Sequence, residues 1–280
     1  MSSNPSSFSS EERSLERFFP SSSLRTWVSG YFRWSGLSPG LTLPNGQIDV
    51  IFDLERTTPS DDSLEIGMVS VHTSLLQPLL REEGSSEVDA FGLCLFPWTS
   101  PVLLSPDTGG SGGRAVVERV GPVEAVRLRR MISDCATDFD RVRLLDGILS
   151  RMLPEAGELE SILYRLWVST WESGGRVSPV ETAKEEGWSE EYTYRMFQQL
   201  GLTVRSFVRL ARFHAFLRLL PGGERISVLS TQTGYYDPAH LTRECREFSG
   251  LPPRRLHARI ASGGGVFTRE TDLWLVDRSS

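Results

Sequence analysis

Hydrophobic and polar positions change their spacing about 120 residues into the chain. Between Trp27 and about Val120, apolar residues form short alternating or continuous runs, such as WVSGYFRW, GQIDVIFDL and FGLCLFPW. Clusters of turn-forming residues separate these runs, among them LPNG and SPDTGGSGG. Short apolar runs bounded in this way are typical of β-strands. The pattern predicts a β-rich domain of the barrel or sandwich type over residues 21–121.

From Pro122 onward, apolar residues recur at three- and four-residue spacing, as in FDRVRLLDGILSRML and ELESILYRLWVSTWE. This spacing places them on one face of an α-helix. We expect a helical linker or dimerisation region over residues 122–175 and an all-α domain over residues 176–260. Residues 1–20 are Ser-rich, without the apolar core of a secretory signal, and are expected to be a disordered tail. Residues 261–280 are expected to be a C-terminal tail, which makes the chain an α+β multidomain protein.

Two stretches of the C-terminal part repeat one order of residues. GWSEEYTYRMFQQLG occupies residues 187–201, and GYYDPAHLTRECREFSG occupies residues 234–250. In each stretch a glycine and an aromatic residue precede a helix N-cap, Ser189 or Asp237, and an arginine follows six residues later. A short helix is expected before each stretch, in PVETAKEEG and ISVLSTQTG. A short helix, a glycine turn and a capped helix form the helix-turn-helix pattern, whose second helix enters the DNA major groove.

Small or apolar residues are needed where the two helices of such a unit cross. Ala183 meets this need in the first unit, and Leu229 and Ser230 meet it in the second. The amphipathic stretch TVRSFVRLARFHAFLRLL lies between the units and can hold them at a fixed separation. Two units that read one face of a duplex must lie about one helical turn apart, roughly 34 Å.

Residues 178–260 resemble the paired helix-turn-helix domain of the AraC/XylS family of transcription regulators. The resemblance is carried by TAKEEGWS, YRMF, GLTVRSFVRLARF and GYYDPAHLTRECREFSGLPP. The stretches TLPNGQIDVIFDL and FGLCLFPW are also similar to the β domain that precedes this DNA-binding domain in one AraC subgroup. The resemblance implies a sequence-specific DNA-binding transcription regulator that reads two adjacent major-groove segments and senses a signal through its N-terminal domain.

The residues expected to face DNA lie on the second helix of each unit. They are Glu191, Tyr194 and Arg195 in the first unit, and Ala239, His240, Thr242 and Arg243 in the second. Arginine can bond guanine bidentately, and tyrosine can contact a thymine methyl group or a phosphate. Glu190 and Glu191 place two carboxylates where the first helix enters the groove. They either accept hydrogen bonds from cytosine or weaken DNA binding by the first unit.

Charge is divided unevenly along the chain. The net charge is −6, which taken alone argues against a nucleic-acid partner. Residues 176–260, however, hold 13 Lys and Arg against 9 Asp and Glu, whereas residues 1–175 hold 15 against 24. This asymmetry is compatible with DNA binding by the C-terminal part.

The expected partners follow from this interpretation. Double-stranded DNA is the first, and RNA polymerase, a small-molecule effector and a second copy of the chain are further candidates. No cofactor or metal is expected, because the three cysteines lack CxxC spacing and His240 has no histidine at ligand spacing. No run of eighteen apolar residues is present, so we expect a cytoplasmic protein without membrane contact.

Two other functions remain open at the level of sequence. One is a protein-interaction regulator that keeps the helix-turn-helix scaffold but acts on a partner protein, and a weak salt dependence of binding would favour it. The other is an enzyme whose β domain is catalytic. No Ser-His-Asp order, phosphate-binding loop or GxGxxG motif supports that alternative, so we expect no enzyme activity.

Several single residues carry further expectations. Cys94 is expected to be a buried thiol, and Tyr235 and Tyr236 are expected to pack in the core. Asp49 and Asp53 are expected to face solvent, because they flank VIF with alternating spacing. Core positions are also expected for most tryptophans, which are Trp27, Trp34, Trp98, Trp167, Trp171, Trp188 and Trp274.

Overall fold

The structure is a computed structural model that describes residues 14–37, 41–54, 69–72, 76, 79–80, 87–103, 122–261 and 266–267. Within these residues, antiparallel strands dominate the N-terminal part and helices make up the C-terminal part. The α+β class predicted from the sequence is therefore confirmed. No helix in the described ranges is both long and apolar enough to cross a bilayer.

The described strands form two sheets. They are β1 (Ser14–Phe18), β2 (Val28–Leu37), β3 (Leu41–Thr42), β4 (Ile48–Asp53), β5 (Val69–His72), β6 (Leu79–Leu80), β7 (Glu87–Leu95) and β8 (Val266–Phe267). The larger sheet is antiparallel and has the order β1-β2-β7-β4-β5. The smaller sheet has the order β6-β3-β8, in which β8 runs parallel to β3.

Side-chain size fixes the close pairing of β2 and β7. Gly92 lies opposite Phe32, and a Cβ atom added to Gly92 would come within 2.1 Å of the Phe32 ring. Phe91 and Leu93 point from β7 into the main core, whereas Cys94 packs with Phe32 on the other face of the sheet. Cys94 is a buried thiol, as predicted.

Two expectations for the N-terminal part were wrong. Residues 14–18 form β1 at the edge of the sheet, where a disordered tail was expected. The strand is held because Phe18 packs against Phe91 and Phe139. Asp49 is buried instead of facing solvent, because the face of the sheet on which it lies is covered by apolar side chains. Asp53, by contrast, is partly exposed.

The described part of the chain also contains ten helices. They are α1 (Ser100–Leu103), α2 (Pro122–Ser133), α3 (Asp138–Met152), α4 (Glu158–Glu172), α5 (Pro179–Glu185), α6 (Glu190–Gln199), α7 (Val204–Leu219), α8 (Ile226–Gln232), α9 (Pro238–Ser249) and α10 (Pro253–Ala261). Short 3-10 turns cover Ser22–Leu24, Pro97–Thr99 and Leu220–Gly222.

Aromatic ring contacts join the β domain to the C-terminal helices in one continuous core. Trp167 on α4 lies 5.8 Å from Trp98, which follows β7, and 4.2 Å from Phe207 on α7, measured between ring centroids. Trp171 stacks on Trp167. Four tryptophans, including Trp27, are buried as expected, whereas Trp34 and Trp188 are half-buried. Trp274 lies outside the described residues.

The segment between β3 and β4 contacts the C-terminal helices directly. The buried His214 of α7 donates from Nε2 to the carbonyl oxygen of Pro44 over 2.6 Å. Gly46 has a φ of +73° and lies so close to Trp167 that an added Cβ atom would approach the indole to 2.9 Å. This segment, which we call the junction loop (residues 43–47), holds the β domain directly against α4 and α7.

Candidate nucleic-acid interface

The first helix-turn-helix unit consists of α5 and α6. The Ser178 hydroxyl accepts from the Glu181 amide, and the Glu181 carboxylate accepts in return from the Ser178 amide, so that α5 begins with a complete capping box. The chain then turns at Gly187, whose φ is +80°. Ser189 caps α6, because its hydroxyl accepts from the Tyr192 amide over 3.1 Å. Ala183 is fully buried where the two helices cross.

The second unit repeats this construction in α8 and α9. Gly234 has a φ of +74°, and the Tyr235 amide donates to the Ser230 carbonyl over 2.9 Å. The corresponding bond in the first unit joins the Trp188 amide to the Ala183 carbonyl over the same distance. Asp237 caps α9 by accepting from the His240 amide over 2.6 Å. Ser189 and Asp237 are thus both N-caps in the structure, as predicted.

The two turns differ in length by one residue, which is Tyr236. It lies between Gly234 and the cap, and its side chain is 93% exposed. Its neighbour Tyr235 is 5% exposed and meets the His240 ring edge-on. The expectation of core packing therefore holds for Tyr235 and was wrong for Tyr236.

The structure places the seven candidate residues on the outer faces of α6 and α9. Glu191, Tyr194, Arg195, Ala239 and Arg243 are exposed, and His240 and Thr242 are partly exposed. The inner faces carry the buried residues Thr193 and Phe197 on α6, and Leu241, Cys245 and Phe248 on α9. Each helix therefore has one buried face and one face that is free to meet a ligand.

Within the first unit, the outer face of α6 is organised by local contacts. The Tyr194 hydroxyl donates to Glu190 over 2.8 Å, and this hydrogen bond raises the pKa of Tyr194. The Arg195 guanidinium lies over the Tyr192 ring, 5.2 Å from its centroid. Two carboxylates, Glu190 and Glu191, occupy the first turn.

Within the second unit, the four candidate side chains differ in the contacts that they make with the rest of the chain. The Thr242 hydroxyl donates to the Pro238 carbonyl of its own helix over 2.7 Å, so its methyl group is the part available to a ligand. The His240 Nε2 atom lies 3.2 Å from a Glu244 carboxylate oxygen. Arg243 has no ion pair or side-chain hydrogen bond to any described residue, and Ala239 presents only its methyl group.

A charged cluster fixes α9 on α7. Arg209 donates from Nε to the buried Glu244 over 2.6 Å and pairs with Glu247 through Nη2. Hydrogen bonds to Glu247 and Glu244 raise the pKa of Arg209, which therefore stays charged. Because Glu244 also contacts His240, the orientation of His240 depends indirectly on Arg209 of α7.

Two outward residues were missed in the sequence analysis. Gln198 and Arg246 lie one turn beyond Arg195 and Arg243 and are also exposed. The same 48-residue offset that relates the caps relates these two positions. Three-residue spacing from the two arginines was the signal that would have found them.

The described residues contain no group of three or more His, Cys, Asp or Glu side chains that is arranged to hold a metal ion. Cys245 is buried, its thiol donates to the Leu251 carbonyl, and burial raises its pKa to about 12.

A comparison with known protein families agrees with this geometry. Residues 182–259 match the family model of a helix-turn-helix domain. A search of curated proteins found no match to the chain.

Among solved structures, the chain is similar to ToxT from Vibrio cholerae O395, with 10% identity, a TM-score of 0.41, and 88% of this chain and 96% of that chain covered. ToxT bound to (E)-4-(8-methylnaphthalen-1-yl)but-3-enoic acid has 11% identity and a TM-score of 0.38, with 88% of this chain and 98% of that chain covered. ToxT from Vibrio cholerae strain SCE256, bound to an unsaturated fatty acid, has 9% identity and a TM-score of 0.39, with 88% of this chain and 94% of that chain covered. Because the family match extends from Thr182 in the first unit to Arg259 after the second, the C-terminal domain is an AraC-type helix-turn-helix domain, the DNA-binding domain of transcription regulators.

Proposed function

We propose that the chain is a sequence-specific transcription regulator that reads two adjacent major-groove segments, one with α6 and one with α9. The observation that supports this most strongly is the duplicated geometry. Both helices begin at a polar cap after a positive-φ glycine, and both present an arginine six residues beyond the cap on the outer face. In a helix-turn-helix unit, this part of the second helix reaches base edges.

Each candidate residue has a role suited to its chemistry. Arg195 and Arg243 bond guanine or a phosphate, Tyr194 contacts a phosphate, and Glu191 accepts from cytosine. The methyl groups of Ala239 and Thr242 meet thymine methyl groups, and His240 donates to the rim of the groove. Ser189 and Asp237 cap the helices that carry these side chains and so fix where each helix begins.

The N-terminal domain is proposed to sense a small-molecule effector and to pass the signal to the DNA-binding domain. Support comes from the junction loop, where Pro44 and Gly46 contact α7 and α4 directly. Any movement of this loop acts on the helix that separates the two units. RNA polymerase is the proposed protein partner, and the protein is proposed to act in the cytoplasm.

The helices α2 and α3 are the proposed surface for pairing with a second copy. Their described residues include Phe139, which is 71% exposed, and Met131, which is 41% exposed. Apolar side chains at this exposure are common in interface centres. Sedimentation of the protein with and without Phe139→Asp tests this pairing, and an unchanged mass would contradict it.

One observation favours the second candidate function, a protein-interaction regulator. The first turn of α6 is acidic, and the carboxylates of Glu190 and Glu191 would meet phosphates if α6 enters the groove. If this repulsion prevails, the chain acts on a basic partner protein through the same surface.

The deciding experiment is selection from random duplex DNA by the purified full chain at two salt concentrations. We expect an enriched motif with two half-boxes about one helical turn apart, and weaker recovery at the higher salt. The Arg195→Ala, Arg243→Ala double variant is the control and should enrich no motif. Absence of enrichment by the unchanged protein at both salt concentrations would contradict the proposal and favour the protein-interaction alternative.

A further inference from the structure

A cleft of about 510 Å³ opens beside the second unit, between the start of α8 and helix α10. Its polar lining consists of Arg225 and Ser227 at the start of α8, Arg254 and His257 on α10, and Glu224. The expected DNA-facing residues all lie elsewhere, on the outer faces of α6 and α9. The cleft is therefore a separate site that the sequence analysis did not identify.

The charges that line the cleft favour an anion. Arg225 and Arg254 face the same cavity, and neither makes an ion pair or a side-chain hydrogen bond with any described residue. Both arginine side chains are exposed, and with the single carboxylate of Glu224 they leave the cleft with a net positive charge. An anion in the cleft would meet the planar donor fork of arginine, which fits the oxygens of a phosphate group.

The repeat supplies an independent observation about Arg225. The equivalent position in the first unit is Ser178, which caps α5 with a complete capping box. In the second unit Arg225 stands at the N-cap of α8, and its side chain makes no capping bond. Serine at such a position stabilises a helix relative to residues that cannot cap. The second unit forgoes this stabilisation and places a cation there.

The position of the cleft indicates where its anion comes from. In helix-turn-helix proteins the first helix of the unit crosses the phosphate backbone while the second helix enters the groove. Arg225 directly precedes the first helix of the second unit, and α10 packs against α9. A cleft at this flank is suited to a strand that runs beside the segment read by α9.

We propose that this cleft binds a phosphate group of the DNA backbone through Arg225 and Arg254, next to the segment that α9 reads. The inference rests on the proposed DNA-binding function and adds a contact that anchors the protein without reading bases. Such contacts fix register and contribute affinity equally on all sequences.

The test measures the affinity of the full chain for its selected duplex and for a scrambled duplex, across a series of KCl concentrations. Arg225→Ala and Arg254→Ala are each expected to lower the affinity for both duplexes equally, by roughly fivefold to tenfold. Each should also reduce the slope of log affinity against log salt concentration by about one. Arg255→Ala is the matched control, because Arg255 adjoins Arg254 on α10 but does not line the cleft. It should leave affinity and slope nearly unchanged.

The outcomes separate this inference from the proposed function. If the unchanged protein binds DNA but the two cleft variants behave like it, or if Arg255→Ala has the same effect as they do, the cleft is not a backbone site. If the unchanged protein binds no duplex, the proposed function fails, and the backbone assignment fails with it.

A second measurement distinguishes a DNA phosphate from a free one. Titration calorimetry with inorganic phosphate and pyrophosphate, at constant ionic strength, is expected to show binding too weak to detect at micromolar concentration. Micromolar binding that is lost in the Arg225→Ala, Arg254→Ala double variant, together with unchanged DNA salt slopes, would overturn the backbone assignment. The cleft would then be a site for a small phosphorylated ligand.

Discussion

Arg195 and Arg243 occupy equivalent places on α6 and α9, the two proposed recognition helices, but their surroundings differ. The Arg195 guanidinium lies over the Tyr192 ring, which restricts its directions. Arg243 is exposed and has no ring contact or ion pair within the described ranges. A side chain with this freedom can adapt to bases or phosphates, whereas Arg195 is already oriented before DNA arrives.

Replacing Arg243 should therefore have a clear effect on DNA binding. We expect Arg243→Ala to lower the affinity for the selected duplex by about 1–3 kcal/mol and to relax specificity at one base position. Arg151→Ala is a suitable control, because it removes the same charge from α3, where Arg151 bonds its own helix. Fluorescence anisotropy measures both, and equal effects of the two substitutions would rule out a specific contact by Arg243.

The adjacent residues Tyr235 and Tyr236 offer a matched pair for stability. Tyr235→Ala is expected to lower the free energy of unfolding by about 3 kcal/mol, because it removes a buried ring that contacts His240 and Arg212. Tyr236→Ala should change it by less than about 0.5 kcal/mol, since its side chain is exposed. Urea denaturation followed by circular dichroism measures both values. Similar losses for the two variants would contradict the assigned burial.

Sequence reasoning could not separate these two tyrosines. They lie in a turn, where no helical or strand period assigns faces. Positions on the helices were easier, because Leu241 and Phe248 follow the apolar period and are buried as that period requires.

At the scale of elements, the attachment of α9 to α7 depends on a buried charge. Glu244 lies between Leu241 and Phe248 on the inner face of α9, and its side chain is 4% exposed. The helical period places Glu244 on the buried face of α9, whereas its charge favours a position exposed to solvent. The ion pair with Arg209, which is 35 residues away in sequence, stabilises this buried charge, and no local pattern could predict it.

Removing one partner of this pair should cost more than removing both. Arg209→Met leaves the Glu244 carboxylate buried without its main partner, and a loss of about 3–5 kcal/mol in the free energy of unfolding is expected. The Arg209→Met, Glu244→Met double variant replaces the pair with apolar side chains and should recover most of this loss. Denaturation of the single and double variants provides the comparison. A double variant as unstable as the Arg209→Met single variant would show that the ion pair does not account for the loss.

At the scale of the whole molecule, the contact between the two domains includes a histidine that titrates on unfolding. Burial lowers the pKa of His214 from its ordinary value of 6.5 to about 4, and the nearby Arg218 acts in the same direction. The folded protein therefore keeps His214 neutral, with its Nε2 hydrogen donated to Pro44. Unfolding exposes the ring, which then takes up a proton below about pH 6.5.

This difference predicts a loss of stability in acid. The contribution of neutral His214 is fully present above pH 6.5, falls as the pH drops and is lost by about pH 4, with a total on the order of 3 kcal/mol. His214→Gln keeps a donor for Pro44 but cannot titrate, so its stability should fall less between pH 7 and pH 5. Urea midpoints at these two pH values measure the difference. A variant with the same acid sensitivity as the unchanged protein would show that His214 is not the titrating group.

The domain order followed from hydrophobic spacing alone, but the contacts between domains did not. Pro44 and His214 are 170 residues apart, and no local pattern joins them. The same holds for α4, which the sequence assigned to a linker but which packs on α5 and, through Trp167 and Trp171, on Phe207 of α7. Periodicity assigns a face to each helix, whereas the choice of neighbour depends on side-chain shape at long range.

The parallel pairing of β8 with β3 gives the DNA-binding domain a second anchor. The helix α4 leads into the first helices of this domain. After α10, strand β8 pairs with β3, which directly precedes the junction loop. A domain that is attached at one end can rotate about that attachment, whereas a domain that is attached at both ends resists rotation. A twist of the β domain would thus act on the domain that carries α6 and α9 at both of its ends. If the chain reads two DNA half-boxes as proposed, it would tolerate little change in their phasing.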